Sequence, residues 1–152
     1  MMLRIYPDSV LRKIANPVKD IDGEIHELIE DMAQLMYTHD GIGLAAPQVG
    51  KLQRILIADN EGKLTPLINP EILEEKGKDQ LGEGCLSLPG ICVNIKRSQT
   101  IIVQHIFPDG KEIYQRYSGL LARIIKHEID HLNGILILDY ASTFERYQIK
   151  KN

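Results

Sequence analysis

The feature that most constrains the fold is the stretch HEIDH at residues 127–131, which lies in a segment without proline or internal glycine. Helical spacing places His127 and His131 one turn apart on the same face of a helix. Leu120 and Ile124 continue that face, which is apolar apart from the histidines. We therefore predict a helix that begins at Gly119, is ended by Gly134 and has its histidine-bearing face buried by the rest of the chain.

The glutamate at position 128 separates two interpretations of the histidine pair. Two histidines on an apolar helix face can be core residues with hydrogen-bonded rings. A carboxylate beside them, however, is costly to bury without a partner. HExxH on a helix is typical of metal hydrolases, in which both histidines bind the ion and the glutamate handles the proton of a metal-bound water. We therefore predict a metal-dependent hydrolase.

Length, composition and charge narrow the class of protein. A chain of 152 residues fits a single catalytic domain spanning 1–152. The net charge of −3 comes with no basic stripe, so we predict no sequence-specific nucleic acid partner. No run of about 18 apolar residues is present, which predicts no membrane span. The start MMLRIYPDSVLRK lacks the apolar stretch of a signal peptide, and we expect a cytoplasmic protein.

The order of apolar patterns along the chain predicts an α+β fold. Apolar residues recur at helical spacing from Gly23 to Thr38, and the tail from Ser142 to Asn152 suits a last short helix. Between the helices lie predicted strands at 54–59, 67–73, 91–95, 100–106 and 111–117. A Pro-Asp-Gly turn at 108–110 joins the last two as a hairpin. We predict mainly antiparallel sheets around a central metal-binding helix.

The third metal ligand is open on spacing alone. Two histidines leave a catalytic metal one protein ligand short of the usual three plus water. The candidates are Cys85, Cys92, His105 or one of the acids. Cys85 is favoured, because the glycines around it permit close backbone approach. Cys92 lies in ICVNI, which predicts a strand with a small buried thiol.

Three stretches lie in order along the chain: GIGLAAPQVG at 41–50, EGCLSLPG at 83–90 and HEIDHLNG at 127–134. Together they closely resemble the signature motifs of the peptide deformylase family. The stretches PDSVLRKIANPV and INPEIL extend the resemblance over essentially the whole chain except the tail. The resemblance implies the α+β deformylase fold and removal of the formyl group from the initiating methionine of new polypeptides.

The resemblance also implies the roles of individual residues. It implies three metal ligands, Cys85, His127 and His131. The metal is usually Fe²⁺ in the family, one per chain, and Zn²⁺, Ni²⁺ or Co²⁺ can occupy the site. Metal-bound hydroxide would attack the formyl carbon, and Glu128 would take the proton and pass it to the departing amine. The Gln48 side-chain amide and the Leu86 backbone N–H would donate to the developing oxyanion.

The substrate implied by the resemblance is an N-formyl-Met nascent peptide. It would bind as an extended strand against the backbone of Ile42, Gly43 and Gly84. The methionine side chain would enter an apolar pocket lined by Ile42, Leu81, Leu120 and Ile124. We predict that the stem of Arg123 also lines this pocket and that its guanidinium reaches solvent at the rim. Many family members dock on the ribosome through a longer basic helix; here we expect proximity to the ribosome without direct docking.

Two other functions use the same residues. A small zinc endopeptidase also carries HExxH, and a structural metal domain would close the site with a fourth ligand such as Cys92 or Asp130. Arg123, Lys126 and Asp130 form a polar strip on the predicted helix. We further predict that Asp130 pairs with Arg97 and so holds the metal-binding helix against the sheet.

Overall fold

The computed structural model describes residues 1–151 and confirms the α+β prediction. The described part of the chain has three α-helices, which are α1 Gly23–Thr38, α2 Gly119–Leu132 and α3 Thr143–Lys151. Its strands are β1 Gly43–Ala45, β2 Ile55–Asn60, β3 Lys63–Lys76, β4 Asp79–Cys85, β5 Leu88–Arg97, β6 Thr100–Ile106 and β7 Glu112–Ser118. Short 3-10 helices span Ser9–Arg12, Ala46–Val49 and Ile137–Tyr140.

The named strands form two antiparallel sheets. The larger sheet has the order β1-β2-β3-β6-β7, and β4 pairs with β5 in a separate two-stranded sheet. The predicted hairpin is confirmed, with Thr100 opposite Ser118 and Ile106 opposite Glu112. The prediction missed β4, whose sequence DQLGEGC is rich in glycine and polar residues and has low strand propensity. It forms a strand because β5 supplies its hydrogen-bonding partner.

The first helix has the predicted bounds. Asp22 caps it by accepting a hydrogen bond from the backbone N–H of Ile25 at 3.1 Å. Its apolar stripe is buried against the larger sheet in a core that includes Ile25, Leu28, Ile29, Met32 and Met36. The last predicted helix is also present as α3, and its final predicted residue, Asn152, lies outside the described residues.

The second helix is central, as predicted. Ala122, Ile125, Ile129 and Leu132 are buried against residues of β2 and β6. Beyond its end, Gly134 adopts φ +72° and lies so close to Arg12 that an added Cβ would be 2.5 Å from the carbonyl oxygen of that residue. Only glycine satisfies both conditions. The helix therefore stops where the sequence predicts and presents its histidines at a fixed position.

The predicted burial of Cys92 is wrong. Cys92 is exposed, because Val93 and Ile95 face the core and the side chains of a strand alternate between its two faces. On α2, the polar residues Arg123 and Asp130 are buried, and their partners are described below. Among residues 1–151, no helix is both long enough and apolar enough to cross a membrane.

Candidate metal centre

Three potential metal ligands from two elements converge beside α2. His127 and His131 project from that helix with ring centroids 5.1 Å apart, and Cys85 ends β4. The Cys85 Sγ lies 3.3 Å from His131 Nε2. One donor atom from each of the three residues lies within 4.8 Å of the others. Of the candidates for third ligand, the structure brings Cys85 to the histidines; His105 instead contacts the Tyr117 hydroxyl at 2.7 Å.

The chemistry of these donors fits a divalent transition metal. A thiolate and two imidazoles form the three-ligand set of a catalytic site that keeps one position open. His127 Nδ1 contacts Glu83 Oε1 at 2.9 Å, so its Nε2 is the nitrogen available to an ion. A carboxylate behind a metal-binding histidine fixes the tautomer and orientation of the ring. The residues present therefore fit a metal of this kind.

A buried ionic network around Glu83 stands behind His127. Arg97 donates from Nε and Nη2 to the two Glu83 carboxylate oxygens, each at 2.9 Å, and Arg123 Nη1 donates to Oε2 at 2.5 Å. Burial alone would raise the pKa of Glu83, but hydrogen bonds from Arg97 and His127 lower it to about 2. Glu83 is therefore ionised at neutral pH. Sequence reasoning assigned Glu83 no role, although it lies only two residues before Cys85. The pairing of β4 with β5 is irregular between these two residues, so simple strand alternation does not predict their faces.

The predicted pair of Arg97 and Asp130 is confirmed. Arg97 Nη1 donates to Asp130 Oδ2 at 2.7 Å, and both side chains are buried. The Tyr140 hydroxyl donates to the same oxygen at 2.6 Å. Asp130 is thus committed to this network, and neither it nor Cys92 belongs to the group of three potential ligands.

The predicted position of the Arg123 guanidinium is wrong. Besides Glu83, it donates to the backbone carbonyls of Ile95 at 3.0 Å and Asp79 at 2.8 Å. These acceptors lie on β4 and β5, and they draw the side chain inward from the helix. Only 6% of Arg123 is exposed. The residue does line the cleft described below, but its charge is paired inside the protein.

Glu128 is a second buried carboxylate, and its surroundings differ. Its Oε1 has no hydrogen-bond partner among the residues that the structure describes. Burial raises the pKa of Glu128 to about 7, against the opposing influence of His127 and Arg97. Gly43 lies against it so closely that a Cβ there would be 2.5 Å from Glu128 Oε2. A glycine at position 43 therefore lets the backbone approach this carboxylate.

Gln48 is held with its amide nitrogen toward the cysteine. Its Oε1 accepts a hydrogen bond from the Ala45 backbone N–H at 2.9 Å. This fixes the other end of the amide, whose Nε2 donates to Ser87 Oγ at 3.1 Å and lies 3.7 Å from Cys85 Sγ. The side chain is 1% exposed. Gln48 thus presents a buried donor at the edge of the candidate metal centre.

A cleft of about 470 Å³ opens in front of these groups. All the residues predicted to bind substrate line it, together with Gln48 and Leu86: Ile42, Gly43, Leu81, Gly84, Leu120, Arg123 and Ile124. Sequence reasoning missed Asp40, Gly41, Gly82 and Glu83, which also line it. Leu120 is 48% exposed and not buried as predicted, because it lies at the first turn of α2 on the cleft wall.

The fold and the site define a hydrolase with an HExxH helix and a cysteine as the third potential metal ligand. The chain belongs to the polypeptide deformylase family, whose model matches residues 1–147. Members of this family are hydrolases that act on the N-formyl amide of new polypeptides. The HExxH helix is therefore that of a deformylase and not of a zinc endopeptidase.

Individual relatives cover nearly the whole chain. The peptide deformylase of Thermodesulfovibrio yellowstonii is 45% identical over 98% of this chain and 93% of its own length. That of Thermoanaerobacter pseudethanolicus is 47% identical over 95% of this chain and 93% of its own length.

Solved structures agree with the fold. The Thermotoga maritima peptide deformylase superposes with a TM-score of 0.90 at 44% identity, over 93% of this chain and 97% of that one. The Synechococcus elongatus peptide deformylase, solved in complex with actinonin, gives 0.95 at 40% identity, over 99% of this chain and 84% of that one. The predicted family and fold are therefore confirmed.

Proposed function

We propose that this chain removes the formyl group from the N-terminal methionine of nascent polypeptides with a metal held by Cys85, His127 and His131. The observation that carries the proposal is the convergence of these three donors within 4.8 Å of one another beside Glu128. We propose Fe²⁺ as the metal, one per chain, with Zn²⁺, Ni²⁺ or Co²⁺ able to replace it. Such an ion is a Lewis acid that makes water nucleophilic near neutral pH.

Glu128 moves the proton in this proposal. A carboxyl group whose pKa lies near 7 can both accept and release a proton near neutral pH. Its Oε1, which has no partner among the described residues, is available to take a proton from the attacking water. The same oxygen then delivers it to the amine of the departing methionine. One side chain thus serves both transfers.

Gln48 and Leu86 stabilise the oxyanion in this proposal. The Gln48 amide is oriented by the Ala45 N–H, so its donor nitrogen needs little reorganisation when charge develops on the formyl oxygen. The Leu86 backbone N–H is the second donor, next along the chain from Cys85. Donors held in place before the reaction are worth more than mobile ones, because they pay no reorientation cost.

The peptide binds between two strand edges. Within residues 1–151, β1 pairs with β2 alone and β4 with β5 alone, so each strand has an open edge. The Ile42 carbonyl accepts from the Asp59 N–H at 2.8 Å. Because these groups alternate sides along a strand, the Gly43 N–H and C=O point away from β2. In this proposal they and the Gly84 backbone pair with an extended peptide, whereas the carbonyl of Ile42, which was also predicted to contact the peptide, is already bonded to β2.

The methionine side chain enters the apolar part of the cleft. Ile42, Leu81 and Leu120 are about half exposed, and Ile124, which also lines the cleft, is buried. Covering such surfaces with an unbranched apolar side chain is favourable, at roughly 25 cal/mol per Å² of apolar area removed from water.

We place the reaction in the cytoplasm, where nascent polypeptides are made.

One experiment tests the proposal. Protein purified without oxygen should deformylate formyl-Met-Ala-Ser and leave the unformylated peptide intact. Cys85→Ala should lose both metal and turnover, whereas the matched variant Cys92→Ala, altered at the exposed cysteine, should keep both. Metal retained at wild-type stoichiometry in Cys85→Ala would contradict the ligand assignment. No release of formate by the wild-type protein would contradict the reaction.

A further inference from the structure

A continuous chain of hydrogen bonds runs from the C-terminal part of the protein to His127. It begins at Tyr140, at the end of the 3-10 helix Ile137–Tyr140, whose hydroxyl donates to Asp130 Oδ2 at 2.6 Å. Arg97 Nη1 donates to the same oxygen at 2.7 Å. Asp130 therefore ties the tyrosine to the arginine through a single atom.

The second half of the chain reaches the metal ligand. Arg97 grips both oxygens of Glu83 with Nε and Nη2, each at 2.9 Å. A two-point contact of this kind fixes the plane of the carboxylate as well as its position. Glu83 Oε1 in turn contacts His127 Nδ1 at 2.9 Å. The orientation of the His127 ring thus depends on where the Arg97 guanidinium lies.

Tyr140 contacts this guanidinium in a second way. The Arg97 guanidinium carbon lies 5.0 Å from the centroid of the Tyr140 ring, within the range of a cation–π contact. Arg97 is 3% exposed and Asp130 8%, whereas Tyr140 is 41% exposed. Tyr140 therefore closes the network on its solvent side. Burial and the neighbouring Asp130 raise the pKa of Tyr140 to about 12, which keeps its hydroxyl a donor at neutral pH.

We propose that Tyr140 is a positioning residue of the metal site, which holds Asp130 and Arg97 so that Glu83 keeps the His127 ring aimed at the metal. The inference rests on the proposed function, because it takes His127 to be a metal ligand. Residues behind metal-binding histidines commonly act in this way. Tyr140 lies outside the three motifs and acts through two further side chains, so its effect is smaller than that of Glu83.

Cobalt-loaded protein gives a readout that does not depend on turnover. Tyr140→Phe removes the hydroxyl and keeps the ring against Arg97. We expect an altered cobalt absorption spectrum and about 10-fold faster loss of metal to a chelator, the low end of the effect of residues behind metal ligands on metal binding. Tyr147→Phe is the matched control, since Tyr147 is 61% exposed on α3. It should leave both readouts at the wild-type value.

A second variant tests whether the two residues act in series. Arg97→Lys keeps the charge but cannot make the two-point contact with Glu83. If Tyr140 acts through Arg97, adding Tyr140→Phe to Arg97→Lys should speed metal loss little further. A wild-type spectrum and rate in Tyr140→Phe, or additive effects in the double variant, would overturn the inference. Failure of the proposed function would be visible elsewhere, as an inactive wild-type protein or as metal retained by Cys85→Ala.

Discussion

One buried carboxylate, Glu83, lies behind the His127 ring on its Nδ1 side, and another, Glu128, lies in front of it in the candidate metal centre. The two carboxylates differ in their partners, and their pKa values are shifted in opposite directions. Behind the ring, Glu83 is 7% exposed and contacts two arginines as well as His127. In front, Glu128 is 4% exposed and one of its oxygens has no partner in the described chain. The pKa of Glu83 is lowered to about 2, whereas that of Glu128 is raised to about 7.

The difference shows that partners and not burial alone decide what a buried acid can do. A carboxylate held by several cations stays charged and rigid, which suits the orientation of a histidine. A carboxyl group that burial makes reluctant to ionise can exchange a proton near neutral pH. Pairs of acids whose surroundings separate their pKa values in this way commonly divide structural and chemical roles.

The largest expected effect comes from the front of the site. Glu128→Gln preserves the shape of the side chain but removes its ability to accept a proton. We expect kcat for formyl-Met-Ala-Ser to fall by about 10²–10⁴. Metal content should stay at the wild-type value. A kcat close to that of the wild type would mean that Glu128 does not move the proton and that the two acids do not differ in role as described.

Gln48 tests the front of the site without a change of charge. Gln48→Ala should lower kcat by about 10²–10³, the effect of removing one oxyanion donor. Gln34→Ala, on the exposed side of α1, is the control and should have wild-type activity. Near-normal turnover in Gln48→Ala would mean that the side chain only supports the loop through Ala45 and Ser87.

A change at Glu83, behind His127, should lower both the stability of the fold and the affinity for metal. Glu83→Gln leaves two buried arginines without their shared anion, and we expect the unfolding free energy to fall by about 3–5 kcal/mol. Metal affinity should fall by about 10–100-fold. In the control Glu75→Gln, loss of the more exposed contact with Lys126 should cost no more than about 1 kcal/mol. Equal costs in the two variants would contradict the role of burial.

His105 tests the same argument about burial away from the metal. Burial lowers the pKa of His105 to about 4, so protonation favours the unfolded chain. The stability that this group contributes is complete above its ordinary pKa of about 6.5 and is lost as the pH falls to about 4, by at most about 3 kcal/mol. Denaturation of His105→Gln across this range should show a smaller slope than the wild type, with the remainder due to other buried groups such as His131. The exposed His26→Gln should retain the wild-type slope.

Local patterns in the sequence predicted the helices and the three potential ligands. Apolar spacing fixed both ends of α1, and HEIDH on an apolar face required a helix with its histidines together. Cys85 was favoured by the glycines beside it and was implied by the resemblance of the three motifs to those of the deformylase family. These features depend on residues close together along the chain, so a single sequence contains them.

Contacts between distant segments were harder to predict. The pairing of Arg97 with Asp130 was foreseen, but Glu83 was not, because its partners are 14 and 40 residues away and depend on how β4 and β5 meet α2. A helical wheel places Arg123 on a polar strip and cannot reveal that a buried anion from another strand faces it. The sequence also does not show which face of β5 packs on the core, and for this reason the prediction that Cys92 is buried was wrong.

X-ray absorption spectroscopy of the zinc-loaded protein tests the central claim most directly. If Cys85, His127 and His131 hold one metal in front of Glu128, the spectrum should contain one sulfur at about 2.3 Å and two imidazole nitrogens at about 2.0–2.1 Å. Cys92→Ser should give the same spectrum, and Cys85→Ala should lose the sulfur. A metal without sulfur, or with two sulfurs in the wild-type protein, would contradict the account.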